Sequence, residues 1–210
     1  CGNGYFINKL KSKSYIQGLE INKTLTKYLI KKKINFLDKD LLEYYPDEKF
    51  DLILLFAVLE HLPDIDVYIN HIKKNILSKN GKILLDVPNL NDPISYFYNI
   101  KDYKEHFYKP YHIYYFSRKA LENFFKKHGF KIKVNLIQQA SITNHFHWIH
   151  NQNKQKNSYE MSNVTLNLQN YNKKNYQKIY KVIDKTDDFY RSKLIENDIS
   201  DLLFAEVQKK

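Results

Sequence analysis

Residues 50–56 read FDLILLF, and residues 82–87 read KILLDV. Each is a short, almost wholly apolar run, which is typical of a strand buried on both faces of a parallel sheet. Between them, residues 64–77 carry apolar side chains at helical spacing. A strand, a helix and a second strand in this order predict a βαβ unit and therefore an α/β fold.

The same alternation extends towards the start of the chain. Residues 5–13 and a stretch that begins after Asn22 have helical spacing, whereas residues 15–19 and 34–37 are short apolar runs that predict strands. The sequence therefore predicts a Rossmann-like, mostly parallel sheet.

The C-terminal part predicts an antiparallel edge to that sheet. Ser117 is placed to cap a helix that ends at Gly129, and residues 202–207 read as a final strand that returns after a long excursion. We expect a helical insertion before this strand. The predicted division is a cofactor-binding domain at 1–137 with an acceptor-side segment at 89–116, an insertion or cap at 138–198, and the last strand of the same domain at 199–210.

Composition narrows the possible partners. The net charge of +11 rests on lysine, because Arg118 and Arg191 are the only arginines among 34 basic residues. Specific nucleic-acid sites depend on the bidentate fork of arginine, so a nucleic-acid partner is disfavoured. No apolar run reaches the roughly 20 residues of a membrane span. Cys1 is the only cysteine, which excludes an internal disulfide and a cysteine-based zinc cluster, so we expect a cytoplasmic protein without a metal.

Three features at predicted strand ends indicate a nucleoside site. Gly2 and Gly4 precede a predicted helix, where backbone can approach a ligand closely. Glu20 ends the next predicted strand, placed to bond both ribose hydroxyls, and Asp40 follows the third. Taken singly, each could be an ordinary turn or a solvated carboxylate. Ligands of open α/β sheets bind at the carboxyl ends of the strands, so together they predict one pocket.

Several segments resemble class I S-adenosylmethionine (SAM)-dependent methyltransferases. CGNGYF at 1–6 resembles the end of the family's D-x-G-x-G-x-G loop, and FDLILLFAVLEHL at 50–62 resembles its "FDlv…vLEHl" segment. LSKNGKILLDVPN at 77–89 resembles "LkpGGkllieVPN", with Asn80 in place of a glycine, and HIYYFS at 112–117 is similar to "H-yyFs".

This resemblance runs in order over residues 1 to about 137, and residues 201–205 resemble the closing strand. It implies a seven-stranded type of sheet, whose first strand is missing from the given sequence, and an enzyme that converts SAM to S-adenosylhomocysteine (SAH). The implied cofactor-binding residues are Gly2 and Gly4 at the methionine part, Glu20 at the ribose, Ile21, Asp40 and Leu41 at the adenine, and Phe56, Ala57 and His61 near the methionine end. For His61, a role in tying its loop together is the favoured alternative.

Histidines are the candidate catalytic residues. Methyl transfer to a hydroxyl requires alignment and removal of a proton, for which an imidazole with a pKa of about 6.5 is suited. His112 is the first candidate because it matches a family position that faces the acceptor, His106 is the second and His145 the third. A packing role is the alternative for each, and an amine or phosphate acceptor needs no base.

The expected acceptor is a small molecule. Aromatic side chains crowd residues 96–115, where they either wall an acceptor pocket or pack in the core. Asn144, His145 and Trp148 resemble the "NHl-WL" segment of methyltransferases from bacterial surface-polysaccharide gene clusters, although the likeness ends after Trp148. We expect methylation of an oxygen on a sugar or phosphate-bearing precursor of capsule or lipopolysaccharide, with lysines favouring an anionic acceptor.

Two alternatives remain open at this point. One is an N-methyltransferase acting on a small molecule, a protein or a nucleic acid, although residues 56–59 lack the Asn-Pro-Pro-Tyr motif typical of base-amine methylation. The other is a SAM-binding domain without catalysis, which would be indifferent to His112→Ala.

Overall fold

The computed structural model describes residues 1–12, 15–155, 158–165 and 173–210. The chain divides into two compact units. The first comprises Cys1–Phe50 and Asp66–Ser78, and the second comprises Asp51–Ile65 and Lys79–Lys210.

The first unit contains two helices near the start of the chain. Helix α1 (Tyr5–Leu10) begins after Gly4, whose backbone is left-handed with a φ of +75°. Helix α2 (Lys23–Lys31) begins at Asn22, whose side chain accepts two backbone hydrogen bonds from the first turn, as predicted. Their apolar faces meet in a small core of Ile7, Leu29 and Ile34.

The predicted short strands of the first unit are reduced to a parallel bridge between Leu19 and Leu37. The N–H of Leu37 donates to the carbonyl of Gly18 at 2.9 Å, and the N–H of Glu20 donates to the carbonyl of Leu37 at 3.1 Å. Because the paired segments are parallel, Glu20 and Asp40 both follow at their carboxyl ends.

In the rest of the chain, one or more helices separate successive strands. They are β1 (Phe50–Phe56), α3 (Ile65–His71) with a π-helical turn at Ile72–Ile76, β2 (Leu77–Pro88), α4 (Lys101–Phe107), α5 (Arg118–Lys127), β3 (Phe130–Ile137), α6 (Ile142–Asn151), α7 (Ser158–Ser162), α8 (Lys173–Glu196) and β4 (Leu202–Lys209). Within the described ranges, no helix combines the length and apolar composition that crossing a bilayer requires.

A four-stranded sheet has the order β1-β2-β4-β3. β1 and β2 are neighbours connected through α3, the type of connection that parallel neighbours need. β4 pairs antiparallel with β2 and β3, which is the predicted antiparallel edge, and helices α6 to α8 form the predicted insertion before it. One face of the ladder is completely buried, through Ile83, Leu85, Val87, Leu203, Ala205 and Val207.

Two local predictions were wrong. Strand β2 begins at Leu77, five residues before the strand predicted at residues 82–87, so Asn80 and Gly81 lie inside the strand. The change of direction comes earlier, where the N–H of Leu77 closes the π-helical turn on Ile72. Strand β1 is also less buried than its apolar sequence predicts, since Leu52 is 47% exposed; β1 stands at the end of the strand order.

Candidate active site

Glu20, the predicted ribose ligand, lies against the glycine loop of the first unit. Its Oε2 accepts a hydrogen bond from the N–H of Gly2 at 2.8 Å. Its Oε1 accepts from the N–H groups of Asn22 at 2.9 Å and Ile21 at 3.1 Å. Burial raises the pKa of Glu20, but these hydrogen bonds, that from Asn22 foremost, hold it below its usual value. The carboxylate is therefore charged and fixed beside the loop.

The two glycines of this loop have different surroundings. A Cβ atom at Gly2, whose φ is +60°, would meet no atom of the described residues within 4 Å, which leaves room for a ligand there. A Cβ at Gly4 would lie 2.9 Å from Ile34 and 3.0 Å from Leu29. Gly2 thus fits the close approach of a cofactor, whereas the core and the left-handed backbone already require a glycine at position 4.

Asp40, the predicted adenine ligand, closes a short turn after the second paired segment. Its Oδ1 accepts from the N–H two residues further on at 2.8 Å. The hydroxyl of Tyr68 donates to both carboxylate oxygens at 3.3 Å, and burial followed by the charge of Asp40 raises the pKa of Tyr68. Leu41, which follows Asp40, is half-buried. Ile21, which follows Glu20, is 57% exposed. Ile21 is therefore open to packing against a ring.

In the second unit, the end of β1 is strained. Ala57, directly after Phe56, has a φ of +49°, a left-handed conformation that costs a residue with a side chain about 1–2 kcal/mol. The N–H of Ala57 donates to Oδ1 of Asp86 on β2 at 2.7 Å. Burial raises the pKa of Asp86, and this hydrogen bond opposes the rise. Asp86 therefore holds the strained residue, and the N–H of Ala57 is engaged within the protein.

Glu60, His61 and His112 form a cluster beyond this strand end. The metal-ligating atoms of the three side chains lie within 4.8 Å of one another, and the two imidazole rings are 4.8 Å apart between centroids. Glu60 is only 2% exposed, and its carbonyl accepts hydrogen bonds from the N–H groups of Ile113 at 2.7 Å and Tyr114 at 3.3 Å. The backbone thus ties the turn that bears Glu60 to the segment that bears His112.

Hydrogen bonds fix the tautomer of both histidines. Nδ1 of His61 lies 2.8 Å from the carbonyl of Tyr111 and must donate to it, which is the loop tie considered for this residue. Nδ1 of His112 lies 3.2 Å from the hydroxyl of Tyr115, which already donates to the carbonyl of Phe107 and therefore accepts. Both neutral rings consequently carry an unprotonated Nε2.

Burial, followed by the nearby His61 and Lys109, lowers the pKa of His112, which favours the neutral ring. Burial also raises the pKa of Glu60. Within the described part of the chain, Nε2 of His112 has no hydrogen-bond partner and Oε2 of Glu60 has none either. The cluster therefore offers unused lone pairs to a ligand or substrate.

His106, on α4, lies in a different environment. Its ring packs against Trp148 with centroids 5.5 Å apart, and its Nδ1 lies 3.2 Å from Nζ of Lys109. Burial, with the charges of Lys109 and Lys154, lowers its pKa. His106 therefore packs against an aromatic ring and lies close to positive charge.

His145 is built into the core of the insertion. It is 1% exposed, its Nδ1 lies 2.5 Å from the hydroxyl of Tyr190, and its Nε2 accepts from Nε2 of Gln138 at 3.3 Å. Burial, and then the charge of Arg191, lowers the pKa of His145 to about 3. Both ring nitrogens are engaged, so the structure favours packing over chemistry for this residue.

Comparison with known proteins identifies the family. The family model described as "Methyltransferase domain" matches residues 1–133. The chain belongs to this methyltransferase family. No curated protein matches its sequence.

Solved structures agree on the fold. A SAM-dependent methyltransferase from Archaeoglobus fulgidus has a TM-score of 0.59 and 16% identity, covering 100% of this chain and 83% of its own. A SAM-dependent methyltransferase from Thermotoga maritima, described as a possible histamine N-methyltransferase, has a TM-score of 0.58 and 17% identity, with coverages of 100% and 78%. The plantazolicin methyltransferase BamL, solved with a substrate analogue and SAH, has a TM-score of 0.53 and 14% identity, with coverages of 100% and 74%.

The family match confirms the predicted methyltransferase, and the solved structures confirm its Rossmann-like fold. The roles of individual residues and the domain division stay predictions. Asp86 was not among the predicted site residues, and Tyr115 was predicted only as one of the aromatic side chains of residues 96–115. A single acidic residue inside an apolar strand was a usable signal for Asp86, whereas nothing local to Tyr115 distinguishes it from the other tyrosines around it.

Proposed function

We propose that this methyltransferase transfers the methyl group of SAM to an oxygen of a small anionic acceptor, a sugar or phosphate-bearing precursor of capsule or lipopolysaccharide. The oxygen assignment rests on His112, whose Nδ1 lies 3.2 Å from the hydroxyl of Tyr115 and whose Nε2 is thereby left to take a proton from the acceptor. The single cysteine of the chain suits a reducing cytoplasm, where we place the reaction.

Residues of the first unit would hold the cofactor. The charged Glu20 accepts ribose hydroxyls by replacing one of its present donors, and the open face of Gly2 receives the methionine part, with Gly4 shaping the loop. Asp40 and the Leu41 backbone take the adenine amino group, and Ile21 covers the ring. The resemblance to the family separately predicts roles near the methionine end for Phe56, Ala57 and His61.

Bound SAM supplies a methyl group that its sulfonium already activates, so the protein must align the acceptor and remove its proton. His112 is suited to take that proton because Tyr115 fixes Nδ1 as the donor and leaves the lone pair on Nε2. His106 and His145 are weaker candidates, since the first packs on Trp148 and the second is buried with both nitrogens engaged.

The anionic acceptor is supported by charge and by exposed rings. Lys109 and Lys154 both act on His106, which makes the surroundings of α4 positive. Tyr96, Phe97 and Tyr111 are 62%, 62% and 59% exposed. Exposed aromatic surface of this kind often marks a binding groove, and sugar rings can pack on it.

The cofactor assignment is tested with Glu20→Ala. Loss of charge-assisted hydrogen bonds to the ribose should weaken SAH binding by about 1–3 kcal/mol, or about 5- to 150-fold, measured by calorimetry. Glu48→Ala, an exposed carboxylate in the same unit, is the matched control and should bind normally. Unchanged affinity in Glu20→Ala removes Glu20 from the site.

The acceptor assignment is tested with labelled SAM and matched panels of sugar phosphates, neutral sugars and primary amines. We expect label on an oxygen of the sugar phosphates, located by mass spectrometry of fragments. Labelling of amines in preference to hydroxyls would overturn the oxygen assignment, and preference for neutral sugars would overturn the anionic one.

A further inference from the structure

The carboxylate of Glu60 is an unusual group for a protein interior. The residue is 2% exposed, and its Oε2 has no hydrogen-bond partner within the described part of the chain. A buried carboxylate oxygen without a partner is costly, so such groups are normally paired, protonated or bound to a cation. No lysine or arginine forms an ion pair with it among the described residues; Nε2 of His61 lies 3.8 Å from its Oε1.

The two histidines beside Glu60 have the arrangement of metal ligands. Metal-binding histidines usually donate their other ring N–H to a carbonyl or a similar acceptor, which fixes the tautomer and orients the ring. His61 donates from Nδ1 to the carbonyl of Tyr111, and His112 donates from Nδ1 to the hydroxyl of Tyr115. Tyr115 is itself held by the carbonyl of Phe107.

We propose that Glu60, His61 and His112 bind one divalent transition-metal cation through a carboxylate oxygen and two imidazole Nε2 atoms. One carboxylate and two imidazoles suit Zn²⁺, Mn²⁺ or Fe²⁺ and leave coordination positions open. At bond lengths of about 2.0–2.2 Å, ligand atoms lie about 3–4 Å apart. The present spread of up to 4.8 Å therefore requires the side chains to close by about 1 Å.

The backbone makes such a small closure feasible. Residues 60 and 113 are joined by a 2.7 Å hydrogen bond, so the segments that bear the three ligands are already fixed to one another. His61 is 35% exposed at its side chain, which leaves the imidazole edge accessible to an entering cation.

The cation would also change the chemistry of acceptor activation, and this part rests on the proposed function. An open coordination position can bind the acceptor hydroxyl and lower its pKa, so that the proton passes to solvent water before the oxygen takes the methyl group from the sulfonium. The lone pair of His112 would then hold the metal and would not take the proton itself. Binding of the cation does not depend on methyl transfer and is tested separately.

The experiment is calorimetric titration of chelator-treated protein with Zn²⁺, in the absence of SAM and acceptor, repeated with Mn²⁺. The wild type should bind one equivalent of Zn²⁺. Loss of a group that only supports a metal ligand lowers affinity by about 10- to 100-fold. Glu60→Gln and the double variant His61→Gln/His112→Gln should each lose at least that much affinity for Zn²⁺. His150→Gln, an exposed histidine on α6, is the control and should bind as wild type does.

Substitution with Co²⁺ adds a spectroscopic readout that misfolding cannot imitate. The wild type should show visible d–d absorption that the double variant lacks, while circular dichroism shows both folded. No binding to wild type, or equal binding by the double variant, overturns the site. An inactive chain that still binds Zn²⁺ stoichiometrically supports the site, and the product assay alone then decides the proposed function.

Discussion

Two histidine regions of the second unit look alike in sequence and differ in chemistry. His112 and His145 each lie in an aromatic segment, and each ring has its Nδ1 within hydrogen-bond distance of a tyrosine hydroxyl. The difference lies at Nε2, which has no partner at His112 within the described residues but is capped by Gln138 at His145. A histidine whose second nitrogen is satisfied and buried stabilises the fold, whereas one with an unused lone pair can do chemistry.

The surrounding carboxylates repeat this contrast. Asp92 is 1% exposed, and its oxygens accept from two backbone N–H groups and the hydroxyl of Tyr103, all at 2.9 Å. Glu60 is equally buried and leaves one oxygen without a partner. The carboxylate of Asp92 is therefore satisfied and that of Glu60 is not, although Oε1 of Gln138, beside His145, also lacks a partner among the described residues.

Of the variants considered, His112→Gln should lower activity most. We expect kcat to fall by about 10²–10⁴-fold, because the variant lacks the imidazole Nε2 whether that atom takes a proton or holds a cation. Stability and SAH affinity should change little. His150→Gln is the control, and a normal kcat in His112→Gln would move suspicion to His106 or to an acceptor that needs no base.

His145→Gln should show the opposite pattern. Removing a buried imidazole that bonds Tyr190 and Gln138 should lower the free energy of unfolding by about 1–3 kcal/mol in a denaturant titration. The kcat of the folded fraction should stay near that of wild type. A stable variant without activity would make His145 the catalytic residue instead.

Asp92→Asn tests the contrast between the buried carboxylates of Asp92 and Glu60 through the pH dependence of stability. Burial raises the pKa of Asp92 to about 7, well above its unfolded value, so the folded state binds the proton more tightly. This contribution to stability is complete at low pH and is lost as pH rises to about 7. Wild type should therefore lose about 1 kcal/mol per pH unit between pH 5 and 7 that Asp92→Asn does not lose.

The measurement is the difference between the two unfolding free energies at each pH. His145 and Asp201, whose pKa values are shifted to about 3 and about 6, are present in both proteins and largely cancel in that difference. Parallel pH profiles for the two proteins would show that Asp92 is already ionised in the fold at pH 5.

The cofactor side of the chain was more predictable than the acceptor side. Glu20 and Asp40 follow apolar segments directly, so local pattern placed them at the carboxyl ends of paired chain segments. The cluster at Glu60 and His112 joins positions far apart in sequence, and its character depends on which nitrogen Tyr115 engages. Hydrogen-bond partners of that kind have no signature in a single sequence.

The sequence predicted neither the partial exposure of β1 nor the strained backbone at its end, and the reasons are related. An apolar run predicts a strand, but it does not predict how many strands lie beside it. Leu52 is therefore exposed in a strand whose sequence predicts burial. Nothing in the sequence marks Ala57 as left-handed, because alanine rarely adopts that backbone and only the hydrogen bond to Asp86 reveals what holds it.

Ala57→Gly is the mildest test, and it asks whether the left-handed backbone at the end of β1 costs stability. Glycine removes a left-handed penalty of about 1–2 kcal/mol but adds about 0.5–1 kcal/mol of unfolded-state entropy, so stability should rise by about 0.5–1 kcal/mol. Ala140→Gly, in the His145 region and without positive φ, should only lose stability. Equal losses in both variants would mean that the hydrogen bond to Asp86 fully offsets the strain at Ala57.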